Sequence, residues 1–91
     1  MMYTIDFEPR VKKVMAQWKK SDSILFKKLR NILLAIQEDP RHGIGHPEPL
    51  IGGKNITYSR RISANHRIIY DIYDEDVRVL LIELGGHYHD K

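Results

Sequence analysis

The spacing of apolar residues changes once along this 91-residue chain and divides it into a helical half and a β half. Before Pro40, apolar residues recur every three or four positions, which is the period of an amphipathic helix. From Thr57 onward they tend to alternate with polar residues, as in a strand that buries one face. Most of the prolines and glycines lie between these halves, so residues 40–55 are predicted to form a loop. This order predicts an α+β fold, with helices packed against one face of a sheet.

The helical half predicts one short strand and two helices. Apolar and polar side chains alternate in residues 2–7, and Pro9 suits the first turn of the helix that follows. Ser21-Asp22 is expected to end this helix and to cap the second one. The second helix is expected to end at residues 38–39, because Pro40 disfavours a helical conformation in the residue before it.

The β half predicts three or four antiparallel strands. The clearest strand candidates are residues 57–62, 67–73 and 77–84, with turns at 63–65 and 74–76. Such short connections favour antiparallel pairing of consecutive strands. Gly85-Gly86 is expected to interrupt the last strand before residues 87–91. The length leaves room for a single domain over residues 1–91.

Composition excludes several classes of protein. The chain contains no cysteine, which rules out a disulfide scaffold, a thiol nucleophile and a cysteine-ligated metal. No apolar run reaches the roughly 20 residues that a membrane span needs. The N-terminus lacks the apolar segment of a secretory signal, so we expect a cytoplasmic protein without membrane contact. The net charge of +3 suits a polyanionic partner, although a basic solvated surface would have the same composition.

The polar residues of the loop and the β half narrow the chemistry. The glycine-rich loop is not followed by Lys-Ser/Thr and a helix, so a phosphate-binding nucleotide loop is not expected. His87 and His89 could share a strand face and bind zinc, but further ligands would have to be held beside them. What remains is a carboxylate with arginines, histidines and tyrosines, the set that RNA backbone cleavage uses for proton transfer and phosphate stabilisation. The alternative is that Arg60, Arg61 and Arg67 form a solvated strand face.

Four segments, taken in order, give the chain a family resemblance. They are Pro47-Glu48-Pro49-Leu50, Ser59-Arg60-Arg61-Ile62, His66-Arg67-Ile68-Ile69-Tyr70 and the pair His87-Tyr88. Over essentially its whole length the chain resembles the YoeB toxins, the Txe/YoeB branch of the RelE/ParE superfamily. The resemblance implies a microbial-ribonuclease-like antiparallel sheet with two N-terminal helices packed on one face. It also implies the toxin of a bacterial type II toxin–antitoxin pair, which enters the ribosomal A site and cleaves the mRNA there.

The resemblance implies a catalytic role for four residues. Glu48 matches the general base, Arg67 matches the arginine that stabilises the phosphate, and His87 matches the general acid. Tyr88 matches a terminal tyrosine that positions the RNA and contributes to catalysis. The histidine two positions after His87 is a second candidate for the acid, and Glu48 could instead be a solvated loop residue. Family members often carry a basic residue shortly before the His-Tyr pair, where this chain has Gly85-Gly86.

A second group of residues is expected to contact RNA, namely Arg61, Arg60, Tyr58 and Lys54. Structural roles are the alternatives for some of the candidates. Arg67 could pair with Glu83 or Asp71 across the sheet. Tyr58 could pack on the helices instead of touching RNA. His66 is expected to stabilise the turn that precedes it and not to act in catalysis.

The resemblance also implies partners and no metal or organic cofactor. The partners are a YefM/Phd-type antitoxin whose acidic segment would cover the basic cleft, the ribosome with its mRNA, and operator DNA bound through the toxin–antitoxin complex. The toxin itself could form a homodimer. Two other functions stay open on the sequence. A ParE-like gyrase inhibitor would share the fold but need neither Glu48 nor the terminal His-Tyr pair, and a degenerate toxin would act only as an antitoxin-binding co-repressor.

Overall fold

The computed structural model, which describes residues 2–50 and 56–86, has two helices packed on one face of a five-stranded sheet. The elements in chain order are β1 (Thr4–Phe7), α1 (Pro9–Ser21), α2 (Ser23–Glu38), β2 (Glu48–Pro49), β3 (Thr57–Arg61), β4 (His66–Tyr73) and β5 (Arg78–Gly86). The strand order across the sheet is β1-β5-β4-β3-β2. The predicted α+β class, with two N-terminal helices on one sheet face, is confirmed.

Local signals place the ends of both helices where the sequence predicts them. Pro9 opens α1, and the Asp22 side chain caps α2 by accepting a hydrogen bond from the Leu25 amide at 3.0 Å. The second helix ends at Glu38, two residues before Pro40. Neither helix in the described ranges has the length and apolar composition needed to cross a membrane.

The sheet departs from the sequence prediction at three points. Strands β3, β4 and β5 pair antiparallel as expected, but β1 pairs with β5 in parallel. Parallel strands need a long crossover, which α1, α2 and the rest of the chain before β5 provide. The predicted loop contains the two-residue strand β2, which pairs antiparallel with β3. Strand β5 continues through Gly85-Gly86, so the predicted interruption of the last strand at these glycines is wrong.

The two faces of the sheet have different partners. Residues directly opposite each other in antiparallel strands share a face, and successive residues alternate between faces. One face packs against α1 and α2 and carries the core, including the fully buried Ile68, Tyr70 and Ile72 of β4. The other face carries the alternate positions Arg67, Ile69 and Asp71, and we call it the open face. Of the candidate catalytic residues, Glu48 and Arg67 lie on this open face.

Candidate active site

Three residues predicted for RNA chemistry lie together on the open face. Glu48 in β2 is opposite Ser59 in β3, and Arg61 in β3 is opposite Arg67 in β4. The register therefore places one carboxylate and two guanidinium groups on three adjacent strands. Sheet pairing positions them from segments that are almost twenty residues apart in sequence.

Glu48 and Arg67 form a loose ion pair at this place. Oε1 of Glu48 lies 3.6 Å from Nη1 of Arg67, and the two side chains are 61% and 34% exposed. A single long contact between such exposed groups contributes little to stability. The carboxylate and most of the guanidinium donors are therefore available to a substrate. Among the described residues Arg67 has no ion pair with Glu83 or Asp71, and Asp71 instead accepts a hydrogen bond from Thr57 Oγ1 at 2.7 Å.

Arg61 and Arg67 place two positive charges directly opposite each other on the adjacent strands β3 and β4. Such a pair is unfavourable in a folded sheet unless an anion lies between the side chains. Glu48 supplies one negative charge, and in the described part of the chain its ion-pair contact is with Arg67. The cluster retains a net positive charge, which matches a phosphate group.

Arg60, which the sequence predicts to contact RNA, does not lie with the other candidates on the open face. Its side chain is fully buried on the helix-facing side of β3, opposite Ile68. Neighbouring residues of a strand point to opposite faces, so only one of Arg60 and Arg61 can lie on the open face. The alternation of side chains along a strand could have shown from the sequence that one of the two arginines faces the helices. Which of the two does so depends on the register between β3 and β4.

The buried guanidinium of Arg60 instead holds the loop that leads to Glu48. It donates to the carbonyl oxygens of Asp39, of His42 at 2.9 Å and of Ile44 at 3.1 Å. Its charge also lies at the C-terminal end of α2, where the helix dipole favours a cation. These contacts supply donors to three carbonyl groups between α2 and β2, and they fix the backbone path between these elements.

Tyr70 completes this support from the middle of the core. Its hydroxyl accepts a hydrogen bond from Arg60 Nε at 2.9 Å and donates to the Pro40 carbonyl at 2.7 Å. Burial raises the pKa of the Tyr70 phenol, which keeps the proton that this donation requires. Further along the loop, Gly45 has a φ of +85°, and a Cβ there would lie 2.7 Å from the Arg61 carbonyl oxygen. The loop before Glu48 is therefore held by both buried hydrogen bonds and close backbone packing.

Tyr58 also belongs to the helix-facing side, where it is partly buried against the core, and its predicted contact with RNA stays a prediction. Its ring stacks on the Tyr70 ring at a centroid distance of 6.3 Å. The Arg41 guanidinium lies 5.9 Å from the Tyr58 ring centroid and is itself paired with Asp74 at 2.8 Å. Hydrogen bonds from Arg41 and then Tyr3 lower the pKa of the Asp74 carboxyl. The packing alternative for Tyr58 is the one that the structure supports.

His66 has the structural role that the sequence predicts for it. Its Nδ1 lies 2.8 Å from Ser63 Oγ, and its ring meets the Trp18 ring edge to face at a centroid distance of 5.3 Å. The histidine therefore joins the β3–β4 turn to α1. Gly86 passes directly over this turn, and its sequence neighbour is the predicted acid His87.

Replacing Gly86 with alanine is expected to lower the free energy of unfolding by about 1–3 kcal/mol. A Cβ at this position would lie 2.7 Å from the Asn65 carbonyl oxygen and 3.3 Å from the His66 ring, and the backbone atom cannot easily move away. Thermal unfolding measures the loss. Gly85→Ala is the control, because its Cβ would point to the opposite face of β5. Equal melting temperatures for the two variants would contradict the steric explanation.

Three of the predicted site residues lie outside the described ranges. They are the general acid His87, the terminal Tyr88 and the RNA-contact candidate Lys54. Their roles stay predictions. Within the described ranges, the structure brings Glu48, Arg61 and Arg67 together and separates Arg60 and Tyr58 from them.

Comparison with known sequences identifies relatives over most of the chain. The family model described as a YoeB-like toxin of bacterial type II toxin–antitoxin systems matches residues 7–88. Toxin YoeB of Synechocystis is 39% identical over 71 residues, which cover 78% of this chain and 80% of the relative. Toxin RelK of Mycobacterium tuberculosis is 34% identical over 79 residues, which cover 87% of this chain and 93% of the relative. The mRNA interferase toxin RelE of Escherichia coli is 29% identical and covers 93% and 83%.

Solved structures of similar shape belong to the same group of toxins. A YoeB/ParE toxin from Agrobacterium tumefaciens has a TM-score of 0.84 at 26% identity and covers 93% of this chain and 99% of its own. A YoeB dimer from Staphylococcus aureus has a TM-score of 0.83 at 28% identity, with coverage of 97% and 100%. A YoeB–YefM complex from the same species has a TM-score of 0.81 at 27% identity and the same coverage. With the family match over residues 7–88, these likenesses show that the chain belongs to the YoeB-like toxins of bacterial type II toxin–antitoxin systems.

Proposed function

We propose that this toxin is a ribosome-dependent endoribonuclease that inhibits translation by cleaving mRNA in the ribosomal A site. The observation that carries the proposal is the grouping of Glu48, Arg67 and Arg61 on the helix-free face of the sheet. A proton acceptor and two phosphate-binding cations lie there within reach of one another and of solvent. A surface that only bound a protein partner would not require a carboxylate beside two opposed arginines.

The cleavage would use the 2′-hydroxyl of the substrate as the nucleophile. Glu48 takes the proton from this hydroxyl as its oxygen forms a bond to phosphorus. Arg67, assisted by Arg61, stabilises the negative charge that develops on the phosphate oxygens. The bond from phosphorus to the 5′-oxygen breaks, and His87 donates a proton to the leaving oxygen. The products are a 2′,3′-cyclic phosphate and a 5′-hydroxyl, and Tyr88 helps to position the RNA.

The ribosome would supply orientation that this small site lacks. In-line attack requires the 2′-oxygen, the phosphorus and the leaving oxygen to lie nearly on one line. An exposed site on an open sheet face holds few groups that could impose this arrangement on free RNA. The name of the Escherichia coli relative, mRNA interferase toxin RelE, supports mRNA as the substrate.

The proposed protein partner is an antitoxin of the YefM/Phd type. The Staphylococcus aureus YoeB that this chain resembles forms a complex with YefM, which supports an equivalent partner here. An acidic antitoxin segment would neutralise Arg61 and Arg67, and the resulting complex would bind operator DNA mainly through the antitoxin. The structure of a YoeB dimer from the same species supports a homodimer as well.

Mapping of new RNA 5′ ends after brief induction tests the proposed nuclease. The parent protein is expected to produce ends within translated frames and in a fixed codon register. Glu48→Gln removes the proton acceptor while keeping the size of the side chain, so we expect at least about a 100-fold loss of these ends. The control is Glu75→Gln, which makes the same change in charge at an exposed position of the turn before β5.

Two results would contradict the nuclease. Growth arrest without new 5′ ends would favour inhibition of gyrase, and binding of the antitoxin without arrest or cleavage would favour a co-repressor. Full cleavage by the Glu48→Gln variant would refute the role of this carboxylate as the base. The proposal that mRNA is the substrate would still stand. A thermal unfolding curve for each variant ensures that folded proteins are compared.

A further inference from the structure

A cleft of about 460 Å³ lies beside the candidate active site, between α2, the loop before β2 and the β3–β4 turn. Its floor is aliphatic and includes Ile32 and Ile62, which are buried, and Ile44, which is 56% exposed. The volume is within the range of sites that hold small organic groups. Among the described residues that line the cleft, Arg61 is the one that has a role in the proposed reaction.

The polar groups of the cleft are cationic or neutral. Lys28 and Asn31 of α2 contribute an ammonium and an amide, and Arg61 and His46 line the opposite side. No aspartate or glutamate is among the described residues that line it. The electrostatic potential therefore favours an anion over a cation.

Arg61 joins the cleft to the candidate active site. It lines the cleft and also lies directly across the strand pair from Arg67. Arg61 therefore borders both the cleft and the open-face cluster, and Lys28 adds a second cation to the lining of the cleft. A single nucleic-acid strand with its phosphate at Arg67 could place its neighbouring phosphate near Arg61 and Lys28.

We propose that the cleft is a subsite for the RNA nucleotide adjacent to the cleaved bond. This inference rests on the proposed nuclease function and extends it from the reacting phosphate to the neighbouring nucleotide. Arg61 and Lys28 bind the neighbouring phosphate, and the isoleucine floor packs against the ribose and the base. Asn31 has both a donor and an acceptor, so it reads the edge of the base. Because Arg61 borders both the cleft and the candidate active site, the strand whose phosphate lies at Arg67 is favoured over an acidic peptide as the occupant.

Pairing a protein variant with a modified substrate tests the phosphate contact. The Lys28→Gln variant is expected to cleave ribosome-bound mRNA about tenfold more slowly than the parent, because a hydrogen bond to a charged group is lost. The second substrate carries a neutral methylphosphonate at the phosphate on one side or the other of the cleaved bond. At one of these two positions Lys28→Gln should slow cleavage no further, because the partner charge is already absent.

Lys27→Gln is the matched control for this experiment. Lys27 is exposed on the same helix, and it does not line the cleft. The Lys27→Gln variant should cleave the normal mRNA and both modified mRNAs like the parent. A Lys28→Gln effect of equal size on normal and both modified mRNAs would overturn the phosphate contact, because lysine would then act elsewhere, for example on ribosomal RNA.

The base contact has its own readout. Four mRNAs that differ only at the neighbouring base are cleaved by the parent and by Asn31→Ala. The parent is expected to discriminate among the four bases by about tenfold or more, and the variant to lose this preference. An unchanged preference in the variant refutes the role of Asn31. If Lys28→Gln and Asn31→Ala both behave like the parent, the subsite fails while the nuclease stands; if the parent cleaves no mRNA, both proposals fail.

Discussion

Replacing Arg67 with alanine is expected to lower the rate of mRNA cleavage by about 100- to 1000-fold without unfolding the protein. Nη1 of Arg67 lies 3.6 Å from the Glu48 carboxylate, and the Arg67 side chain is one-third exposed on the open face. The charge that it stabilises is greatest in the transition state, so the loss should appear in the rate of the chemical step. Single-turnover cleavage on ribosomes programmed with a short mRNA measures this step.

A control and a conservative variant make this prediction specific. Arg78→Ala removes an arginine of β5 that pairs with Asp6 at 3.3 Å, and we expect it to cleave at nearly the parent rate. Arg67→Lys keeps the charge but loses the planar fork, so an intermediate rate is expected. Cleavage by Arg67→Ala at the rate of the Arg78→Ala control would show that this guanidinium does not stabilise the reacting phosphate.

Replacing Arg60 with methionine is expected to lower the free energy of unfolding by about 3–5 kcal/mol. The substitution removes the buried hydrogen bond to the Tyr70 hydroxyl and three part-buried hydrogen bonds to carbonyl groups of the loop. For a domain of this size, each 1 kcal/mol corresponds to about 4–8 °C in melting temperature. Urea unfolding and thermal unfolding both measure the loss.

The adjacent arginine is the control for this second prediction. Arg61→Met makes the same chemical change one residue later, at an exposed position on the opposite face. Its effect on stability should stay within about 0.5 kcal/mol, and relief of the repulsion from Arg67 could even raise stability. In cleavage assays on folded protein, Arg61→Met should lower the cleavage rate more than Arg60→Met does, because Arg61 lies in the candidate active site. Equal losses of stability in the two variants would refute the structural role of Arg60.

The helices were predictable because their signals are local. Apolar spacing, the cap at Asp22 and the restriction imposed by Pro40 act within a few residues of the helix ends. The antiparallel order of β3, β4 and β5 was predictable for a related reason, since short turns bring consecutive strands together. The parallel partner of β1 was not predictable in this way, because 70 or more residues separate the paired positions in sequence.

The candidate site was predictable as a set of residue types but not as a geometry. Motif resemblance selected Glu48, Arg67 and Arg61, and the ion pair at 3.6 Å depends on the pairing of β2 and β4 with β3. The same motifs suggested RNA contacts for Arg60 and Tyr58, whose side chains point to the helices. A motif does not distinguish the two faces of a strand unless the register is known.

Local patterns in the amino-acid sequence were sufficient to identify both helices, the strands other than β2, and the residue types available for RNA chemistry. These properties depend on hydrophobic spacing, caps and side-chain chemistry, which are carried by neighbouring residues. Three further features became visible only in the folded chain: β1 lies beside β5, Arg60 supports the loop before Glu48, and Lys28 of α2 lines a cleft together with Arg61. Each of these depends on contacts between residues that are distant in sequence, and such contacts form only when helices and sheet pack together.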